Sequence, residues 1–360
     1  MTHKYEHLIV AYGSNLCARD FNKFAQKNGS HGSCLNFEKL VFLPDYEICF
    51  DTYSNGRKGG VLNIRGSRGC ITEVGLFSAS DEGLKLLRKK EGVPFKYEEV
   101  EVVVISDDGE EIRALTYIVP QHRAEGFVEP HPEYVKVCES GFNSRGIDTD
   151  ILHQAAENQK IEPWPALFTY GTLMRNESRH QTIKNSGVNC SLMGQCYGTL
   201  STNGSYPALN LRGGSFSWGD YFVSNDIVSL LEITDQIEGF IGYGSPHNLF
   251  RRTFVPVDVG RVRYAWIYVM DKELDIDIKS NDWRRFNGKR LEFVHEVYKS
   301  HSAATTNFDE ALTNRVYRYS FNPNNEALHS EEIIKMLNDG QGLSEFDFAK
   351  VTNLWAVATS

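Results

Sequence analysis

From Leu8 to Ile105 the chain alternates short apolar runs with Gly and Asn clusters. The runs are LIVAY, EICFDTY, GVLNI, ITEVGLFS and VEVVVIS. Runs this short, rich in β-branched and aromatic residues and bounded by turn formers, predict β-strands. One stretch breaks the pattern. From Ser80 to Lys90 the residues Leu84, Leu86 and Leu87 follow the N-cap-like Ser80-Asp81-Glu82, and Gly92 and Pro94 end the predicted helix. The same order returns in the second half. LFTYG, CYGTL, ALNLR and WGDYFVS predict strands, Asp226 to Ile237 predicts a helix, and FVPVDV and RYAWIYVM predict two further strands.

One device also occurs twice. Ala11-Tyr12-Gly13-Ser14-Asn15-Leu16 ends the first strand of the first half, and Tyr170-Gly171-Thr172-Leu173-Met174 ends the first strand of the second. A Glu-Gly pair closes each predicted helix: Glu91-Gly92, 79 residues beyond Tyr12, and Glu238-Gly239, 68 residues beyond Tyr170. A repeat of that length is too long for a solenoid unit and implies two homologous domains. Asp150 to Gln159 reads as a closing helix, and Lys160 to Pro165, with two prolines around Trp164, reads as a stiff linker. The expected domains are therefore residues 1–160 and 164–288, with 289–360 as a C-terminal extension. Beyond Trp283 the text becomes charged and helical, including Leu291 to Ser300 and Ser330 to Leu337. Packing across the domains, a third small domain and a partner-binding role all stay open for this extension.

Composition narrows the function classes. With 360 residues, 41% of them hydrophobic and 24% charged, the chain can bury two ordinary cores. No apolar run approaches the roughly 20 residues of a membrane helix, and the opening MTHKYEH lacks a secretory core, so a cytoplasmic protein without a membrane partner is expected. A net charge of −9 argues against nucleic-acid binding, which needs clustered Lys and Arg. The seven cysteines contain no Cys-x-x-Cys pair and read as reduced structural thiols. His-Glu-x-x-His, the phosphate-loop pattern and the Gly-x-Ser-x-Gly elbow are all absent, and no metal site is expected.

The repeated device can nevertheless do chemistry. A Gly between a strand and a turn lets backbone N–H groups approach a ligand, and the hydroxyl of Ser14 or Thr172 adds a donor, so the loop can hold a carboxylate or an oxyanion. One such turn is ordinarily only a turn. Two at equivalent places favour a binding loop. Glu91 and Glu238 sit at helix C-termini, where an acid is mismatched with the dipole by roughly 0.3–1 kcal/mol. Such a mismatch moves a carboxylate toward the range of a useful base.

The first half resembles the gamma-glutamylcyclotransferase branch of the gamma-glutamylcyclotransferase-like superfamily, the BtrG-like fold. The likeness rests on AYGSNL, GGVLNI, the glutamate of LRKKEGV, Tyr97 before VEVVV, and Pro132-Glu133-Tyr134. The second half is similar to the gamma-glutamylamine cyclotransferase branch through FTYGTLM, YPALNL, LEITDQIEGF, FRRTFVPV, AWIYV and SNDW. The resemblance implies an α+β protein of two tandem small mixed β-barrels with flanking helices, followed by a helical C-terminal extension. It also implies release of 5-oxoproline from a gamma-glutamyl amine, amide or isopeptide, with no metal and no organic cofactor. By the same resemblance Glu91 and Glu238 are the general acid/bases. Substrate would be held by Ala11, Tyr12, Gly13, Ser14, Asn15 and Leu16 with Tyr97 and Tyr134, and by Tyr170, Gly171, Thr172, Leu173 and Met174. Two alternatives stay open: a non-catalytic protein that binds gamma-glutamyl or acidic ligands, and a gamma-glutamyl amide hydrolase of a biosynthetic pathway. The leaving amine and the oligomeric state are not given by the sequence.

Overall fold

The structure, a computed structural model, describes residues 7–30 and 34–287. The expected extension 289–360, with its helices at Leu291 to Ser300 and Ser330 to Leu337, lies outside the described residues. Two compact units make up the chain, and the change from one to the other falls between Pro163 and Trp164.

The first unit runs β1 (His7–Ala11), α1 (Ala18–Lys27), β2 (Leu35–Ser54), β3 (Gly59–Ala79), α2 (Asp81–Glu91), β4 (Glu98–Ile105), β5 (Glu111–Ile118), α3 (Pro132–Arg145) and α4 (Asp150–Ala156). Its strands close into a barrel in the order β1-β3-β2-β4-β5, with β1 antiparallel to β3 and parallel to β5. The long β2–β3 ribbon carries register shifts at Phe37/Lys39, Pro44/Tyr46 and Phe50/Thr52. Bulges of this kind bend a strand, which lets two strands of 20 and 21 residues wrap around one core. The sequence divides β3 into two runs because Arg65 to Gly69 lacks apolar character. In the fold these polar residues sit at the largest bulge, where pairing passes from Tyr46 with Gly66 to Pro44 with Ile71. The first half of β2, β5, α1 and α3 carry no expected element.

The second unit runs β6 (Ala166–Thr169), α5 (His180–Lys184), β7 (Val188–Tyr197), β8 (Thr199–Thr202), β9 (Pro207–Asn210), β10 (Phe216–Ser224), α6 (Ile227–Glu238), β11 (Arg251–Asp258), β12 (Val262–Val269), β13 (Ile276–Asp277) and α7 (Trp283–Phe286). Its closed barrel has the order β10-β6-β12-β11-β7, and a small sheet β13-β8-β9 stands beside it. Substituting β6 for β1, β7 for β2, β10 for β3, β11 for β4 and β12 for β5 reproduces the first barrel, including the parallel contact of β6 with β12. The α+β tandem-barrel architecture implied by the resemblance is what the described residues form.

Each barrel fills with apolar side chains. Leu43, Phe50, Val74 and Phe142 pack the first, and Phe168, Phe222, Phe254 and Trp266 the second. The repeat extends to single residues. Register pairs Glu99 with Tyr117 and Arg252 with Tyr268, which makes Tyr97 and Phe250 equivalent as the residues two places earlier. Both helices that carry the glutamates are capped. Ser80 Oγ accepts from the Gly83 N–H at 3.2 Å, and an Asp226 carboxylate oxygen accepts from the Ser229 N–H at 3.1 Å. Gly92 and Gly239 stop the two helices in the left-handed region, at φ 68° and 62°.

Candidate active site

Each Tyr-Gly turn leaves its first strand as a tight reversal. Leu16 N–H donates to the Gly13 carbonyl at 2.9 Å, and Met174 N–H donates to the Gly171 carbonyl at 3.0 Å. The tyrosines lock both turns to the parallel neighbour strand: Tyr12 hydroxyl donates to the Tyr117 carbonyl and Tyr170 hydroxyl to the Tyr268 carbonyl. Burial raises the pKa of both phenols well above its ordinary value, so they stay protonated donors. The two intervening N–H groups, of Ser14 and Asn15 and of Thr172 and Leu173, make no hydrogen bond among the described residues. They are available to an anion.

In the first unit α2 brings Glu91 to this turn, where Asn15 Nδ2 donates to Glu91 Oε1 at 2.8 Å. Lys90 Nζ reaches the turn from the same helix end, donating to Ser14 Oγ at 3.0 Å and to Asn15 Oδ1 at 2.8 Å, and pairs with Asp20 at 3.2 Å. Arg57 grips Asp20 through both carboxylate oxygens, at 2.9 and 2.7 Å. A cleft of about 640 Å³ opens here, lined by Ser14, Lys90, Glu91, Tyr97 and Tyr134 among others. Tyr97 hydroxyl donates to the Leu62 carbonyl at 2.8 Å, and the Leu62 N–H donates to the Tyr134 hydroxyl at 3.4 Å. Both rings are thus held against one residue of β3, Leu62. The Gly59-Gly60 pair is what allows α3 to bring Tyr134 there: a Cβ on Gly60 would meet the Val128 carbonyl at 2.0 Å. Ala11, Tyr12 and Leu16 are buried behind the turn, and neither they nor Gly13 and Asn15 line the cleft.

In the second unit the cavity is about 110 Å³ and takes in the turn itself. Tyr170, Gly171, Thr172 and Leu173 line it together with Glu238, Arg179, Tyr206, Phe250 and Tyr268. Met174 is fully buried and lies outside the lining. Glu238 makes no side-chain hydrogen bond among the described residues. Burial raises its carboxyl to about 7, while Arg179 acts in the opposite direction. The helix dipole by itself predicts a raised value. Desolvation is the larger cause here.

Behind each glutamate lies a Tyr–acid–Arg triad with its charges exchanged. In the first unit Tyr117 hydroxyl donates to Glu99 of β4 at 3.1 Å, and Glu99 pairs with Arg88 of α2 at 2.6 Å. In the second, Tyr268 hydroxyl donates to Asp235 of α6 at 2.6 Å, and Asp235 pairs with Arg252 of β11 at 3.1 Å. The Tyr243 hydroxyl, which accepts from Arg252 Nε at 3.0 Å, also belongs to this network. Phe250 leaves the cavity without the hydroxyl that Tyr97 has in the first unit.

A family whose description is "Gamma-glutamyl cyclotransferase, AIG2-like" matches residues 167–285. The second barrel is a gamma-glutamyl cyclotransferase-like domain. By strand order, turn and register the first barrel repeats the fold of the second. Among solved structures, one described as gamma-glutamyl cyclotransferase is 24% identical over 44% of this chain and 89% of its own, with a TM-score of 0.36. An uncharacterized protein from Homo sapiens is 24% identical over 45% of this chain and 90% of its own, with a TM-score of 0.36. YkqA from Bacillus subtilis is 17% identical over 75% of this chain and 86% of its own, with a TM-score of 0.28. No curated protein matches the chain.

Several residues that line the two cavities carry no signal as isolated letters. Asp20, Arg57, Arg179 and Tyr206 reach the cavities from α1, from the β2–β3 turn, and from the segments before α5 and β9. Among the described residues no group of three or more His, Cys, Asp or Glu side chains could hold a metal ion, and no helix is long and apolar enough to cross a membrane.

Proposed function

We propose that the protein is a cyclotransferase that releases 5-oxoproline from gamma-glutamyl amines, amides or isopeptides, with one reaction centre in each barrel. A single observation carries this reading. In each unit the glutamate that ends the helix shares a cavity wall with the Tyr-Gly turn, directly through the Asn15–Glu91 hydrogen bond in the first and through the common lining of Glu238 and Tyr170 to Leu173 in the second. The match of residues 167–285 to the gamma-glutamyl cyclotransferase family supports the same class of chemistry.

The reaction needs two protons moved from the α-nitrogen to the leaving nitrogen. Glu91 or Glu238 takes a proton from the substrate α-ammonium, and the freed amine attacks its own γ-carbonyl carbon, closing a five-membered ring favoured by proximity. The new C–N bond forms as charge collects on the carbonyl oxygen. The free N–H groups of Ser14 and Asn15, or of Thr172 and Leu173, are suited to hold that oxygen or the α-carboxylate. The bond to the leaving amine then breaks as the carboxylic acid gives that amine its proton, and the regenerated carboxylate passes on the second proton of the ring nitrogen, leaving a neutral lactam and an alkylammonium. Tyr97 and Tyr134 wall the substrate in the first unit, and Tyr206 and Phe250 in the second. The site is built from small-molecule recognition elements, and a soluble cytoplasmic enzyme acting on gamma-glutamyl compounds fits them.

The test is mass-spectrometric detection of 5-oxoproline after incubation with gamma-glutamyl dipeptides, amines and lysine isopeptides. Glu91→Gln and Glu238→Gln are each expected to remove the activity of their own unit by roughly 10²–10⁴-fold, and the double variant to remove both. Binding of the same compounds with no 5-oxoproline from the wild type would instead favour a binding protein. Free glutamate as the product would favour the hydrolase.

A further inference from the structure

The chain carries a net charge of −9, yet six cationic side chains line the first cleft: Lys23, Lys27, Arg57, Lys90, Lys96 and Arg123. Only Asp20 and Glu91 oppose them in that lining. Asp20 is already taken by Arg57 and Lys90, and Arg123 pairs with Glu98 at 2.9 Å. Lys23, Lys27 and Lys96 are exposed and have no ion pair among the described residues. An exposed lysine is ordinarily just a solvated surface residue. These three differ because they converge on one concave site. Lys23 and Lys27 stand four residues apart on α1, an arrangement of like charges that weakens a helix, and Lys96 joins the lining from the segment between α2 and β4. Nothing in the first unit's lining neutralises them. The second cavity has no such cluster, since Arg179 and Glu238 are its only charged lining residues among those described.

Resting on the cyclotransferase reading of the first unit, we propose that its cleft selects gamma-glutamyl substrates whose leaving amine is itself polyanionic, bearing two or more carboxylates or a phosphate. The glutamyl head occupies the corner formed by Ser14, Lys90 and Glu91, while the acidic leaving portion lies toward Lys23, Lys27 and Lys96. A concave site lined by one sign of charge concentrates ligands of the opposite sign, and the effect weakens as salt screens it.

The experiment uses the full chain carrying Glu238→Gln, so that only the first cleft turns over substrate. The compounds are gamma-glutamyl-glutamyl-glutamate, gamma-glutamyl-phosphoethanolamine and gamma-glutamyl-alanyl-alanine. The proposal expects kcat/KM for at least one polyanionic compound to exceed that of the alanyl peptide by about tenfold at low salt, falling to about twofold or less near 0.5 M salt. The variant Lys23→Glu, Lys27→Glu, Lys96→Glu should bring the ratio close to one. Preference for the triglutamyl compound alone assigns the lysines to spaced carboxylates, and equal preference for the phosphate assigns them to charge as such. A ratio below twofold at low salt for both, or a ratio untouched by the triple variant, overturns the proposal. If no compound yields 5-oxoproline, the cyclotransferase reading fails by itself. Calorimetric binding of the same three compounds then decides the cleft: loss of the acidic preference in the triple variant supports the proposal, and equal affinity for all three overturns it.

Discussion

The two barrels place a glutamate at the same point of the same fold and surround it with opposite chemistry. Asn15 of the first turn hydrogen-bonds Glu91, whereas the equivalent Leu173 offers Glu238 nothing. Lys90 precedes Glu91 and reaches into the turn, whereas Ile237 precedes Glu238 and lines the cavity as an apolar wall. The first cleft is wide and cationic, the second small and mostly apolar. The two units therefore share the placement of turn and glutamate and differ in the electrostatics around it. That division is what separate substrates for the two units would require.

The comparison can be broken most severely at the exchanged triads. Arg252 and Asp235 expose 1% and 9% of their side chains, against 44% and 18% for Arg88 and Glu99. Removing one partner of a buried pair leaves an uncompensated charge, so Arg252→Met is expected to destabilise the second unit by about 3–5 kcal/mol. Arg88→Met should cost only about 0.2–1 kcal/mol, because solvent screens the exposed pair. Urea unfolding followed separately for each unit measures both. Equal losses would mean that the two triads do not differ as their burial indicates.

A milder intervention exchanges the residues beside the glutamates. Asn15→Leu removes a charge-assisted hydrogen bond worth about 1.5 kcal/mol and should lower kcat of the first unit about tenfold. Leu173→Asn gives Glu238 a donor, which favours its ionised form. In a Glu91→Gln background the second unit should gain activity as pH rises through about 7, where Glu238 becomes the carboxylate base. Leu173→Asn should move that midpoint to lower pH. A pH–rate profile with no inflection near neutrality, in either form, would remove the distinction drawn between the two glutamates.

The smallest effect concerns stability. The folded-state value of Glu238 lies above its ordinary carboxylate value, so the native state holds a proton that the unfolded chain has released between about pH 4.3 and about 7. Its contribution to stability therefore falls as pH rises across that window. Glu238→Gln abolishes this slope and should raise Tm at pH 8 by several °C, with little change at pH 4. Thermal scans at the two pH values test the sign. A Tm gain that is as large at pH 4 as at pH 8 would place the effect elsewhere.

Local letters determined much of this molecule. The period-two and short apolar runs, the capped helices over Asp81–Glu91 and Ile227–Glu238, and the twice-used turn are all local patterns, and they were legible because backbone conformation and capping depend on near neighbours. The early half of β2, strand β5, most of β7 and helices α1, α3 and α5 were not legible. Pro44, the charged alternation of Glu111 to Ile118, and the polar ends of Pro132 to Arg145 hide their periods, and pairing across the barrel overrides those local signals. The sequence also marked Glu91 and Glu238 by their repetition. What only the tertiary structure decided is which charges gather around them. Asp20 and Lys23 on α1, Arg57 and Lys90 come from three places far apart in the chain, and electrostatic environment is a property of distance in space, which strand order and bulges set only once the barrel has closed.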